Sequence, residues 1–322
     1  MKNITFSQAT LDAMAEEMAR DERVFVMGED IARQGGIFGQ FKGLGEKFPG
    51  RVIDTPISET AIVGGAVGAA LAGSRPVADM HFADFFGVCM DEVFNQMAKV
   101  RYMFGGQAKV PLVVRAPDGI SISGAAQHSQ AVEAWFIHIP GIKVVTPSNP
   151  ADAKGLLKAC IRDDNPIIFF ENKILYKESG PVPDGEYFVE IGKAKTVREG
   201  SDCTIVSYSI GMKAALGAAE ILEKEGISCE VIDLITLSPW DKETVLNSVK
   251  KTHRLCVCHE AVKQGGVGAE VSATVAEQAM MYLDAPIFRY GAPFVPLPFS
   301  PSLEKLCKVY PEDVAAGIRS MF

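Results

Sequence analysis

The sequence predicts an α/β protein, with a doubly wound parallel sheet in its first domain and a smaller α/β domain after it. Three observations carry that expectation. Strand-like apolar runs alternate with helical patterns from one end of the chain to the other. The chain has 322 residues, 48% hydrophobic and 22% charged, which suits a globular protein of two domains rather than one. One segment, Glu178-Ser179-Gly180-Pro181-Val182-Pro183-Asp184-Gly185, is dense in turn formers and reads as the strong break in the pattern. Domains are therefore expected at 1–190 and 191–322.

The elements follow in order. After Thr5 an amphipathic helical repeat runs through Leu11, Met14, Ala15 and Met18. Strands of the first domain are expected at Val24–Met27, Pro76–Met80, Leu112–Arg115, Lys143–Val145 and Ile167–Phe170, short apolar runs too brief for buried helices. Helices are expected near Glu59–Ala72, Val88–Met103 and Ala151–Arg162. The last has a clear start in Asn149-Pro150. Beyond the break the alternation resumes: Cys203–Tyr208, helix Lys213–Lys224, Ser228–Asp233, helix Lys242–Lys250, Arg254–His259, helix Gly268–Met281 and Ile287–Tyr290.

Composition removes several function classes. Net charge is −8, from 40 acidic against 32 basic residues with no basic block, so nucleic acid is not an expected partner. The longest apolar run, Ala61 to Ala72, is too short and too glycine-rich to span a bilayer. Met1–Thr5 leads into a helix pattern without the features of a signal or transit peptide, so a cytoplasmic location is expected. Seven cysteines are scattered without a CxxC pair and read as buried thiols in a reducing compartment.

Common catalytic motifs are also missing. There is no Walker A loop and no GxSxG elbow, and His259-Glu260 is followed by Ala-Val-Lys rather than by the rest of HExxH. Gly265-Gly266-Val267-Gly268 lacks the third glycine of a dinucleotide fingerprint and reads as a tight strand-to-helix turn. Three residues stand out instead. Glu59, in Asp54-Thr55-Pro56-Ile57-Ser58-Glu59-Thr60-Ala61, lies at the mouth of a helix containing Gly64, Gly65, Gly68 and Gly73, small residues that permit close backbone packing. Two readings of Glu59 are open. It complements the helix dipole behind a Ser58 cap, or it holds a ring nitrogen of an aminopyrimidine. His128, in Gly124-Ala125-Ala126-Gln127-His128-Ser129-Gln130, occupies a small-residue loop after a predicted strand, where α/β proteins place their sites. It is either an acid–base group held by its neighbours or a polar loop histidine. Phe85 also follows a strand, and its plain reading is core.

Several segments in order carry a resemblance. DTPISE with its Gly/Ala helix, FADFFGVCMDEVFNQMAKVRYMFGG, AAQHSQ, HIPGIKVVTPSNPADAKGLL, IRDDNPIIFFENKILY and HEAVKQGGVGAE resemble the β subunit of the thiamin diphosphate-dependent first component of 2-oxo acid dehydrogenase complexes. The likeness covers essentially the whole chain. FFGVC…FNQMAKVRYMFGG and GGIFGQFKGL resemble the acetoin dehydrogenase branch most, with pyruvate and branched-chain enzymes next.

The resemblance implies a transketolase-like pyrimidine-binding domain followed by a transketolase C-terminal domain. It implies that Glu59 hydrogen-bonds the cofactor aminopyrimidine, with Ile57 and Phe85 lining that pocket, and that His128 assists acyl transfer to lipoamide. Leu112, Cys160, Ile161, Asp163 and Asn165 match positions that hold a structural potassium ion. No GDG segment occurs in the sequence, so the diphosphate and its magnesium are expected on an α subunit. Two α and two β chains would form the tetramer, active only when assembled, and a lipoyl-bearing acyltransferase core would receive the acyl group. The implied reaction is cleavage of acetoin, or decarboxylation of pyruvate or a branched-chain 2-oxo acid. Two rivals remain: a single-chain transketolase-like synthase, and a non-catalytic scaffold protein that kept the fold and lost the chemistry.

Overall fold

The structure is a computed structural model that describes residues 1–121 and 123–322. The chain forms two compact units, and they do not follow a single cut. Met1–Asp118 and Trp135–Ile191 make the first, whereas Gly119–Ala134 and Gly192–Phe322 make the second.

In the first unit six parallel strands lie in the order Lys143–Val145, Ile167–Asn172, Val113–Asp118, Arg75–Asp79, Val24–Gly28 and Val52–Asp54. The central strands Val113–Asp118 and Ile167–Asn172 are buried throughout, as expected where helices cover both sides of a parallel sheet. Helices Phe6–Arg20 and Pro150–Arg162 pack on each other. The second begins where expected, since Asn149 accepts the Asp152 amide at 2.9 Å and Pro150 occupies the first turn. Buried among these elements is an ion pair. Arg115 Nε and Nη2 donate to the two Glu171 carboxylate oxygens at 2.5 and 2.9 Å, beneath the Phe41 ring.

The expected helix Val88–Met103 is instead three pieces: a 3-10 turn over Ala83–Val88, a π-helical stretch over Glu92–Met97 and a short helix over Val100–Met103. The expected break at Glu178–Gly185 contains a strand, Ser179–Val182, paired antiparallel with Lys2–Thr5. That pairing joins the chain's start to its middle, a contact that local pattern does not encode.

The second unit has five strands in the order Phe288–Ala292, Leu255–Val262, Cys203–Ser207, Cys229–Asp233 and Lys195–Arg198, with only the last antiparallel. Its core includes Cys203, Cys229, Cys256 and Cys258. All seven cysteines are buried free thiols. Gly266, which caps helix Val267–Ala279, leaves no room for a side chain: a Cβ there would lie 2.6 Å from the His259 ring. His259 is itself buried, and burial pushes it down to about 4, so it is neutral. Among the described residues no helix is long and apolar enough to cross a membrane.

Candidate active site

Three adjacent parallel strands of the first unit deliver the candidate groups. Glu29 follows Val24–Gly28, the Thr55–Glu59 run follows Val52–Asp54, and His81–Phe85 follows Arg75–Asp79. All three segments leave carboxyl ends, and the chain turns to opposite sides of Val24–Gly28 on reaching the next two strands. Ligands of open α/β sheets bind at such a switch point. The Thr55 amide donates to the Gly28 carbonyl at 2.9 Å, and the Ala32 amide donates to Asp54 at 2.7 Å, so the first two segments are tied together.

Glu59 is the first residue of helix Glu59–Leu71 and is buried at 8% exposure. Ser58 takes the N-cap position in extended backbone, but its side chain makes no capping bond. Two positions earlier, Ile57 is 82% exposed. A buried carboxylate beside a fully presented apolar side chain is an unfinished surface. Phe85 is half-buried rather than core, and its ring meets Phe82 edge-on at 5.7 Å between centroids. The helix glycines divide in their roles. A Cβ on Gly64 would touch Glu92 at 3.4 Å and one on Gly65 would touch Met27 at 3.5 Å, but Gly68 faces open space. Gly73 instead supplies a left-handed backbone (φ +100) just past the helix end.

Glu29 escaped the sequence reading. It is 7% exposed, its Oε1 has no hydrogen-bond partner, and burial together with the charges of Glu59 and Asp30 raises its pKa. The available signal was modest: an acidic pair, Glu29-Asp30, at the carboxyl end of a parallel strand. Cys89 is pushed up to about 12 by burial and by Glu92 and Glu59. Glu29, Asp30, Glu59 and Glu92 therefore bring four carboxylates to this corner. The orphaned Glu29 oxygen, buried Glu59 and exposed Ile57 fit an aromatic ligand that carries ring nitrogens able to donate or share protons.

His128 belongs to the second unit, in the loop that leaves strand Val113–Asp118. It is half-buried, and its amide closes a turn on the Ala125 carbonyl at 3.5 Å. Ser123 and Ala125, which are not glycines, adopt left-handed backbone there, at φ 55 and 57.

Of the five candidate potassium residues, Cys160, Ile161, Asp163 and Asn165 lie together at the end of helix Pro150–Arg162, and Leu112 directly precedes strand Val113–Asp118. Leu112, Cys160 and Ile161 are buried, and Asp163 and Asn165 lie half-buried beside them. Arg75 Nη1 donates to the Ile161 and Asp163 carbonyls at 3.0 Å each. The Leu112 carbonyl accepts the Ile167 amide at 2.9 Å. Lys143 pairs with the Asp163 carboxylate, holding it below the usual carboxylate range against its burial, and Arg101 donates to Asn165 Oδ1 at 2.6 Å. Each carbonyl has a second lone pair, so oxygen donors for a hard cation remain, next to protein cations that oppose it. Among the described residues no cluster of three or more His, Cys, Asp or Glu side chains could hold a metal ion.

Comparison with known proteins identifies the family. Residues 2–179 match the transketolase pyrimidine binding domain and residues 192–314 the transketolase C-terminal domain. Acetoin:2,6-dichlorophenolindophenol oxidoreductase subunit beta of Cupriavidus necator is 47% identical over 99% of this chain and 97% of its own length. The 2-oxoisovalerate dehydrogenase subunit beta of Bacillus subtilis is 45% identical over 100% of this chain and 99% of its own. The pyruvate dehydrogenase E1 component subunit beta of Rickettsia felis is 48% identical over 99% and 98%. These values do not separate the three branches. A solved split gene transketolase, an inactive beta4 tetramer, shares the fold, with a TM-score of 0.83 at 23% identity over 99% of this chain and 98% of that one. Both transketolase domains matched in order, and near-complete alignment with such subunits, mean that the chain belongs to the family of β subunits of the thiamin-dependent first component of 2-oxo acid dehydrogenases.

Proposed function

We propose that this subunit works on acetoin, cleaving it and passing the acyl group to lipoamide. The observation that carries the catalytic reading is buried Glu59, set beside exposed Ile57 at the carboxyl edge of the sheet. When bound, thiamin diphosphate supplies the electron sink for carbon–carbon cleavage. Glu59 shares a proton with a ring nitrogen of the aminopyrimidine. Ile57 and Phe85 pack on the ring and keep water from it. His128 moves a proton during acyl transfer. Residues 1–190 serve as the pyrimidine-binding domain and 191–322 as the C-terminal domain.

The relatives are each a subunit beta, which supports an α partner. In this reading the α subunit holds the diphosphate and magnesium, two α and two β chains assemble, and activity requires that assembly. The open face at Gly68 suits close packing by a neighbouring helix. A lipoyl-bearing acyltransferase core receives the acyl group in the cytoplasm. A potassium ion at Leu112, Cys160, Ile161, Asp163 and Asn165 would be structural.

Pyruvate is the second reading, since a pyruvate dehydrogenase E1 component subunit beta matches the chain as fully as the acetoin relative does. A methyl group more or less is worth only about 1–3 kcal/mol in a pocket, so pyruvate and the branched-chain oxo acid are separated by modest apolar contacts. Coexpression with an α chain, followed by dye reduction with acetoin, pyruvate and 3-methyl-2-oxobutanoate in parallel, tests the assignment. Preference for either oxo acid over acetoin would move it to the corresponding branch.

A further inference from the structure

We propose that Glu260 and Glu304 are positioning residues for His128, a clamp applied to the His128 loop from far along the chain; this rests on the acid–base role given to His128 above. The loop is closed at its base, where the Gly119 amide donates to the Gln130 carbonyl at 3.1 Å. On the limb leading to His128, two backbone amides are held by carboxylates. Ile120 donates to Glu260 Oε2 and Ser123 donates to Glu304 Oε1, each at 3.2 Å. Beyond His128, the Tyr208 hydroxyl donates to Glu133 at 2.5 Å, and the Tyr208 ring stacks on His259.

The loop needs such fastening. Ser123 and Ala125 hold left-handed backbone that side chains disfavour, and between them Gly124 is pressed against Ser129, whose Oγ lies 2.6 Å from where a Cβ would be. Backbone of this kind persists only when its surroundings over-determine it. An ionised carboxylate accepting an amide is among the stronger available restraints. Glu304 is suited to the task because it is 4% exposed and fixed from the other side by Lys308 at 3.8 Å. Both glutamates lie in the second unit, more than a hundred residues past the loop, so the C-terminal domain is assigned the job of shaping a catalytic loop.

The test uses the coexpressed tetramer of full-length chains. Glu304→Ala, Glu304→Gln, Glu260→Ala and His128→Ala are compared by lipoamide-dependent turnover, by cofactor half-saturation and by hydrogen exchange of the peptide spanning 119–130. Glu304→Ala and Glu260→Ala should each lower kcat about tenfold, the worth of one charge-assisted bond, with KM and cofactor half-saturation unchanged and exchange of the loop peptide accelerated. Glu304→Gln keeps an acceptor oxygen and should recover most of the kcat. Wild-type kcat in both alanine variants, beside a crippled His128→Ala, would overturn the clamp and leave the role of His128 intact. Wild-type turnover in His128→Ala would instead sink the acid–base role on which the clamp depends. Should Glu304→Ala not fold, slower turnover with faster loop exchange in Glu260→Ala supports the clamp, and unchanged exchange there refutes it.

Discussion

Asp79→Asn should stabilise the first unit at alkaline pH and leave it little changed in acid. Asp79 ends strand Arg75–Asp79, lies opposite Arg115 on the neighbouring strand, and is 1% exposed. Its Oδ2 accepts the His81 amide at 3.3 Å, while its Oδ1 has no hydrogen-bond partner, although Gln40 faces it. Close packing keeps it there: the Asp79 Cβ lies 2.8 Å from where a Cβ of Gly28 would be. Burial pushes its pKa from 3.8 up to about 7. Arg115 pulls it down, but that charge is largely spent on Glu171, which pushes it back up. A carboxyl raised on folding costs nothing below its unfolded pKa, and its cost grows as pH rises towards the folded value. At about 1.4 kcal/mol per pH unit, the climb from 3.8 to about 7 amounts to about 4 kcal/mol, of which roughly 3 accrue between pH 5 and 8.5. Asparagine cannot ionise and escapes that cost. Equilibrium urea unfolding at pH 5, 6, 7 and 8.5, followed through Trp135 with Trp240→Phe in both proteins, measures the difference between wild type and variant. That difference should swing by about 3 kcal/mol in favour of the variant. A flat difference would show Asp79 ionised throughout as a second counter-ion of Arg115, and the reasoning would be wrong.

Other outcomes follow from the site and the backbone. His128→Ala in the assembled enzyme should lower turnover by roughly 10²–10⁴-fold, and activity within a few-fold of wild type would refute its role. Glu59→Ala should slow exchange of the cofactor thiazolium proton, read by NMR after quenching; an unchanged rate would remove the assignment. Gly141→Ala should destabilise the first unit by about 1–3 kcal/mol or more, because φ is +102 and the new Cβ would fall on the Ala98 carbonyl oxygen. A melting midpoint within a degree of wild type would contradict that.

Much of the site was legible because its chemistry is written in local runs. Phe85 and His128 each follow a strand that the apolar pattern announces, and loops at the carboxyl ends of parallel strands carry sites. The strand before Ile57 and Glu59, Val52–Asp54, is three residues long and is not announced by that pattern. Glu29 was not legible. A carboxylate becomes informative only when it is buried without a partner, and burial depends on which segments fold over it. The stretch Val88–Met103 has the apolar spacing of one helix, yet it is broken into 3-10, π and α turns against helix Glu59–Leu71, whose Gly64 lets Glu92 approach. Spacing reports which face is apolar. It does not report how the backbone must bend to meet its neighbour.

By itself the sequence determined the alternating strands and helices, the carboxyl-edge loops and the residue types placed on them, because periodicity and turn chemistry act over a few residues. Tertiary structure alone decided three things. It paired Lys2–Thr5 with Ser179–Val182, it surrounded Asp79 with a spent ion pair, and it attached the His128 loop to Glu260 and Glu304. Each joins residues separated by long stretches of chain, where the choice of partner depends on the packing of whole sheets and helices rather than on any local preference.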